Sequence, residues 1–243
     1  MISSNFKDQY ENLCPGVYVW HNFLSTEELS TIMEEINTKH WTVDSRQNWE
    51  FKSFAKFKDK IIESLNMPDI DIPNMDSVIR RGAGDGMEPH VDIENYMNPV
   101  YYNEIDKESD VEKVSFKMAR YGMIIYFNDD YESGDIHYPE YNFSYKPKAG
   151  DLVIHDARNI HAVKYVKSGY RYTHSSYISD IFWVTKETAD SMDRPEGRFN
   201  QEDSRFWYSV THGPSDNPAL KEFQKTYIDK GDFHHEYNSK QTT

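Results

Sequence analysis

From Ser115 to Val184 the sequence is a succession of short extended runs, each closed by turn residues, with no helix-length amphipathic segment between them. Tyr121 to Phe127 ends at Asn128-Asp129-Asp130, and Ser133-Gly134-Asp135 opens a run that Pro139 stops after Tyr138. Phe143 to Tyr145 meets Pro147 and Ala149-Gly150. Asp151 to His155, His161 to Val166 and, past Gly169, Arg171 to Val184 complete the series. Gly, Pro, Asn and Asp end extended chains for separate steric reasons. Strands this short, this closely spaced and without intervening helices close into a sandwich or barrel. The fold class is therefore mainly β, and any helices must flank the β region.

Those helices precede it. Val17, Val19 and His21 alternate with Tyr18 and Trp20, which predicts a strand. Ser25 followed three residues later by Glu28 is a capping box and predicts a helix start. Leu29, Ile32, Met33 and Ile36 give that helix one apolar face. A second helix is predicted from Asn48 to Asn66, with Phe54, Phe57, Ile61 and Leu65 as its core stripe. Lys52, Lys56, Lys58 and Lys60 read as its solvated face. Pro68 and Pro73 then open a loop. Tyr96 to Glu112 is polar and acidic, long enough for a mobile lid. Beyond Asp193 the tail is polar, with one helix expected between Asn217 and Gly231 and Phe206-Trp207-Tyr208 as its docking point. One domain is expected over residues 1–243. It comprises an N-terminal strand and helices at about 15–75, a β core at about 76–185 and a C-terminal extension at about 186–243.

Composition narrows the function. A net charge of −14 disfavours a nucleic-acid phosphate backbone as partner, because that contact depends on Lys and Arg. Cys14 is the single cysteine, so no intramolecular disulfide framework exists. Met1 to Tyr10 has no apolar signal region, and the longest apolar run, near Tyr121 to Phe127, is strand-sized. The expectation is a soluble, cytoplasmic protein without a membrane span.

The chemistry concentrates in Gly86-Met87-Glu88-Pro89-His90-Val91-Asp92, read with His161 and Arg171. In an extended segment residues i and i+2 share a face, so an imidazole and a carboxylate can converge from one strand. His161 is the best third ligand. Two His and one carboxylate form a facial triad that suits non-haem Fe(II) and leaves positions open. Arg171 supplies a planar fork for a carboxylate. The glycine cluster Gly82-Ala83-Gly84-Asp85-Gly86 lacks the Gly-Lys-Ser/Thr ending of a phosphate loop and reads as a turn that delivers His90. Taken alone, His90 could equally be a surface or core histidine.

Read in order, the chain resembles the Fe(II)- and 2-oxoglutarate-dependent dioxygenases, within them the prolyl 4-hydroxylase-like group, over most of residues 15–185. The carrying residues are Val17 to Glu28, His90-x-Asp92, Ile125-Tyr126-Phe127-Asn128, Ser133-Gly134-Asp135, Pro147-x-x-Gly150-Asp151, and His161 ten residues before Arg171. The resemblance implies a double-stranded β-helix, a jelly roll of the cupin type. It implies that His90, Asp92 and His161 bind Fe(II), that Arg171 pairs with the distal carboxylate of 2-oxoglutarate, and that Tyr126 and Ser175 assist. It implies O2 as second cosubstrate, ascorbate as reductant, and succinate as co-product. Ser133 and Asp135 depart from the family's Gly-Gly-Glu, at positions that are not ligands. His155 is the rival third ligand, but it lies sixteen residues before Arg171, and the interval of His161 fits the family better. His174 falls on the strand face opposite Arg171. The implied substrate is a prolyl residue in a peptide or protein. A free amino acid, another small molecule, a nucleic acid and a non-catalytic binding module are the alternatives.

Overall fold

Two antiparallel sheets face each other and share one apolar layer. The computed structural model describes residues 8–41, 46–48, 54–67, 70–72, 77–92, 98–102 and 113–185. The large sheet runs, in spatial order, Glu11–Cys14, Val17–Trp20, Leu152–Asp156, Lys113–Tyr126, Arg171–Thr185, Ser77–Arg81 and Arg46–Asn48. Ile70–Asp71 also pairs with Arg171–Thr185, and Asn98–Tyr102 with Lys113–Tyr126. The small sheet runs Phe143–Tyr145, Ile136–Tyr138, His161–Val163 and Met87–His90. Neighbours in the fold are distant in sequence, as closure of a jelly roll requires.

Between the sheets lie Val17, Val19, Ile124, Tyr126 and Val153 from the large sheet and Ile136 and Tyr138 from the small one. The other face of the large sheet carries Met123, Ile125, Leu152, Ile154 and Ile178, covered by the two helices. Odd and even positions of one strand thus feed two different cores, which is the period-2 rule at work. The helix Thr26–Thr38 starts at Ser25, whose Oγ accepts from the Glu28 N–H at 3.2 Å while the Glu28 carboxylate accepts from the Ser25 N–H at 2.9 Å. Ile32 and Ile36 are its buried residues, with Leu29 and Met33 packed at the margin.

The second helix is described over Phe54–Leu65, residues 49–53 lie outside the described residues, and Arg46–Asn48, at whose end the pattern predicts the helix start, is strand. Arg46–Asn48 pairs with Ser77–Arg81, and that sheet bonding takes the chain before the helix begins. Phe57, Ile61 and Leu65 are buried as expected. The lysines of its outer face are paired: Lys56 with Glu28 at 2.9 Å and Lys58 with Asp71 at 2.8 Å. Lys60 donates to the Phe23 carbonyl.

Two further expectations are amended. Within Tyr96 to Glu112, the stretch read as a lid, Asn98–Tyr102 is a strand with Asn98 opposite Lys117 and Tyr102 opposite Ser115, and the rest lies outside the described residues. Val100, Tyr101 and Tyr102 are good strand formers, and the neighbouring strand offers them a ladder. The run His161 to Val166 is broken into His161–Val163 and Val166–Ser168, the second pairing with Glu132–Ser133. The expected tail helix and the Phe206-Trp207-Tyr208 docking point lie outside the described residues. Among the described residues, no helix is long and apolar enough to cross a membrane.

Candidate metal and carboxylate site

His90 ends the strand Met87–His90, at the edge of the small sheet, and sits opposite His161 on the next strand. An edge position is where Pro89 can be accommodated without breaking a ladder. The turn before it is built by the glycine cluster. The Gly84 N–H donates to the Val166 carbonyl at 2.8 Å and the Val166 N–H to the Asp85 carbonyl at 2.9 Å. Asp92 is not on the strand, as the i, i+2 argument requires. It lies in the bend that follows, and its N–H donates to the Ala157 carbonyl at 2.9 Å. The loop leading to His161 therefore fixes where Asp92 stands.

Ligand atoms of His90, Asp92 and His161 all lie within 4.8 Å of one another. Nε2 of His90 is 3.9 Å from Asp92 Oδ1, and Nε2 of His161 is 3.7 Å from the same oxygen. Each imidazole uses its other nitrogen on the backbone. His90 Nδ1 is 2.8 Å from the Glu88 carbonyl and His161 Nδ1 is 3.0 Å from the Asn159 carbonyl. A carbonyl only accepts, so Nδ1 carries the proton in both rings and the Nε2 lone pairs face Asp92. His90 and Asp92 keep 13% and 11% of their side-chain surface open, against 5% for His161. Access is therefore from the His90–Asp92 side.

Electrostatics suit cation binding. Burial depresses His90. Burial also holds His161 well below the ordinary imidazole range, helped by the neighbouring His155 and His90. Both rings are neutral ligands at neutral pH. For Asp92, burial pushes upward, but His161, His155 and His90 outweigh it and keep the carboxylate well below its usual range. Two neutral imidazoles and one carboxylate are a donor set that fits Fe(II).

His155 does not join the three. Its Nε2 is 3.0 Å from Asp92 Oδ2, the oxygen on the far side from the other two imidazoles, and its Nδ1 is 3.2 Å from the Tyr138 hydroxyl. Gly122 faces His155 across the sheet, and a Cβ there would collide with both Asp92 Oδ2 and His155 Nε2.

Arg171 begins the long strand of the large sheet and is 2% exposed. One terminal nitrogen donates to the Tyr126 hydroxyl at 3.2 Å and the other reaches Thr173 Oγ1 at 3.5 Å, while the guanidinium lies 4.9 Å from the Tyr126 ring centre. Arg171 Nε and the Tyr131 hydroxyl are buried and have no hydrogen-bond partner among the described residues. Burial raises both tyrosines, so both hydroxyls stay protonated. An unpartnered guanidinium N–H and two retained hydroxyl protons in one buried corner fit an incoming carboxylate. The expected Ser175 shares the strand face of Arg171 by parity, opposite Ile124, whereas the residue that Arg171 touches is Thr173. His174 pairs with Ile125 on the helix-side face, away from Arg171.

Gly134 stands close to this corner. It has φ +72°, and an added Cβ would lie 3.0 Å from the Tyr131 ring and 3.3 Å from Arg171 Cδ. Ser133 before it also adopts a left-handed φ of 65°. Sequence reasoning missed Gly122, Tyr131 and Thr173. Only Thr173 left a signal, by sharing the Arg171 strand face.

No protein-family model matches the chain, and no curated protein matches it. Solved structures do. A viral collagen prolyl hydroxylase from Paramecium Bursaria Chlorella virus-1, in its 2-oxoglutarate complex, is 20% identical with a TM-score of 0.46, covering 70% of this chain and 99% of that one. A 2-oxoglutarate–Fe(II) oxygenase-family oxidoreductase from Burkholderia pseudomallei is 11% identical with a TM-score of 0.48, covering 68% and 84%. A Pseudomonas putida prolyl-4-hydroxylase is 11% identical with a TM-score of 0.46, covering 68% and 88%. These solved neighbours are oxygenases and prolyl hydroxylases. At such identities the likeness is one of fold.

Proposed function

We propose that the chain is an Fe(II)- and 2-oxoglutarate-dependent dioxygenase that hydroxylates a prolyl residue in a peptide or protein. The carrying observation is the convergence of His90, Asp92 and His161 within 4.8 Å, with both Nε2 lone pairs turned toward the carboxylate. In this reading the three hold Fe(II) and leave positions for a chelating keto acid and O2. Arg171, with Tyr126 and the unpartnered Tyr131 hydroxyl, holds the distal carboxylate of 2-oxoglutarate. When bound, the iron and cosubstrate supply oxidative decarboxylation to succinate coupled to oxidation of a C–H bond; the protein supplies position and a closed site.

The prolyl assignment rests on the sequence resemblance and is supported by two of the solved neighbours, which are themselves prolyl hydroxylases. The experiment is a peptide panel, with and without proline, incubated with Fe(II), 2-oxoglutarate, ascorbate and O2. Succinate and oxygen incorporation are followed by mass spectrometry. Oxygenated proline together with succinate is the expected result. Oxygenation equally of peptides that lack proline, or oxygenation at residues other than proline, would remove the prolyl reading and keep the dioxygenase one.

A further inference from the structure

His155 is a buried imidazole that touches the proposed metal site without belonging to it, and its surroundings assign it a purpose. It is 1% exposed, and Tyr138 is fully buried. A carboxylate accepts hydrogen bonds, so His155 Nε2 is the donor in its 3.0 Å contact with Asp92 Oδ2. Nδ1 of the same ring is 3.2 Å from the Tyr138 hydroxyl, a second hydrogen bond that seats His155. Burial keeps that hydroxyl protonated. Tyr138, His155 and Asp92 thus form one continuous hydrogen-bonded chain.

The three residues come from three parts of the fold. Asp92 is on the bend after the small-sheet edge, His155 on the large sheet, and Tyr138 on the small sheet. The ring of His155 is seated 4.2 Å from that of His161, centre to centre. Gly122 is the opening that admits the pair. Glycine inside a strand is costly unless a close approach requires it, and here Asp92 and His155 occupy the space of its missing side chain.

We propose that Tyr138 and His155 are positioning residues that clamp Asp92 Oδ2, so that Asp92 offers a divalent metal one oxygen, Oδ1, beside the Nε2 atoms of His90 and His161. This rests on reading His90, Asp92 and His161 as a metal site. With Oδ2 engaged, Asp92 takes one coordination position instead of two, and the positions that a chelating cosubstrate needs stay free. The clamp also removes rotational freedom from the carboxylate before the metal arrives.

The test is calorimetric titration of Co(II) into the whole apo protein, with the visible Co(II) spectrum recorded at saturation. His155→Phe keeps the ring volume and removes the donor. His155→Gln restores a side-chain N–H. Tyr138→Phe removes the outer hydroxyl alone. Outer-shell partners of metal ligands are worth about 10- to 100-fold in affinity. We expect His155→Phe to weaken Co(II) by that factor and shift its visible bands, His155→Gln to recover most of both, and Tyr138→Phe to fall between. A role in packing alone would lower the melting temperature and leave affinity and bands unchanged, which would overturn the clamp. His155→Phe binding Co(II) as tightly as wild type would also overturn it. Wild type that binds no Co(II) would instead remove the underlying metal site, a separate outcome from the same titration. Should His155→Phe not fold, Tyr138→Phe decides alone, by weakened affinity or by none.

Discussion

At the scale of single residues, the three side chains that converge, His90, Asp92 and His161, were legible and their support was not. His90-x-Asp92 and a distant His161 are written in the linear sequence. The orientation of Asp92 is not, because it depends on an N–H bond to Ala157 and on His155 lying across from Gly122. Pairings between strands far apart in sequence have no local signature. The carboxylate corner shows the same limit: Arg171 and Tyr126 could be named, while Tyr131 enters through a turn whose left-handed Ser133 and Gly134 bring it against Arg171. Two outcomes follow at this scale. In a metal-loaded protein, Arg171→Lys should weaken 2-oxoglutarate binding about 10- to 100-fold, because the fork and its charge-assisted bonds are lost. Tyr131→Phe should remove one hydrogen bond to the distal carboxylate, a loss of about 10- to 100-fold. Calorimetry reads both, and unchanged affinity in both would move the cosubstrate away from Arg171. Ser133→Val should lower stability by about 1–2 kcal/mol, since a β-branched residue resists the left-handed region, whereas Ser133→Gly should not. Urea denaturation separates them.

At the scale of elements, the β pattern and the first helix were readable because each has a strong local cause. Ser25 and Glu28 cap one another, and Ile32 and Ile36 point inward. Four short strands, Glu11–Cys14, Arg46–Asn48, Ile70–Asp71 and Asn98–Tyr102, escaped notice. They have little alternation of their own and exist because a neighbouring strand offers hydrogen bonds, a case of tertiary context overriding local preference. Helix docking accounts for much of the outer core. Phe57 packs edge-on to Phe23 with ring centres 5.8 Å apart and is 1% exposed. Phe57→Ala should therefore cost roughly 3–5 kcal/mol. Ser25→Ala, which removes only a cap at the surface, should cost about 1 kcal/mol. A thermal or urea series would show the order reversed if the helices were loosely attached.

At the scale of the whole molecule, the fold stores unfavourable burial at the site and ties stability to pH. His90 and His161 are depressed in the folded protein by burial. As pH falls below about 6.5, the unfolded chain binds protons at these positions that the folded chain refuses. Stability of the metal-free protein is therefore highest above that value and is lost progressively as the pH drops through the folded values. Asp92, also depressed, adds a further loss in the acid range below the ordinary carboxylate value. Urea unfolding at pH 7.5 and 5.5 should show lower stability at 5.5. The His90→Gln and His161→Gln double variant should flatten that dependence, and an unaltered slope would deny that these rings are buried neutral. A bound divalent ion should deepen the dependence, because protons and metal then compete for the same Nε2 atoms.

The most direct measurement of the central claim is an anaerobic titration of the purified protein with Fe(II) and 2-oxoglutarate. It follows the metal-to-ligand charge-transfer absorption of the chelate, with His161→Ala and Arg171→Ala run beside the wild type. The account predicts a saturable band in the wild type, its loss in His161→Ala, and its appearance only at much higher 2-oxoglutarate in Arg171→Ala. A wild-type protein that folds and shows no band would contradict the account at its base.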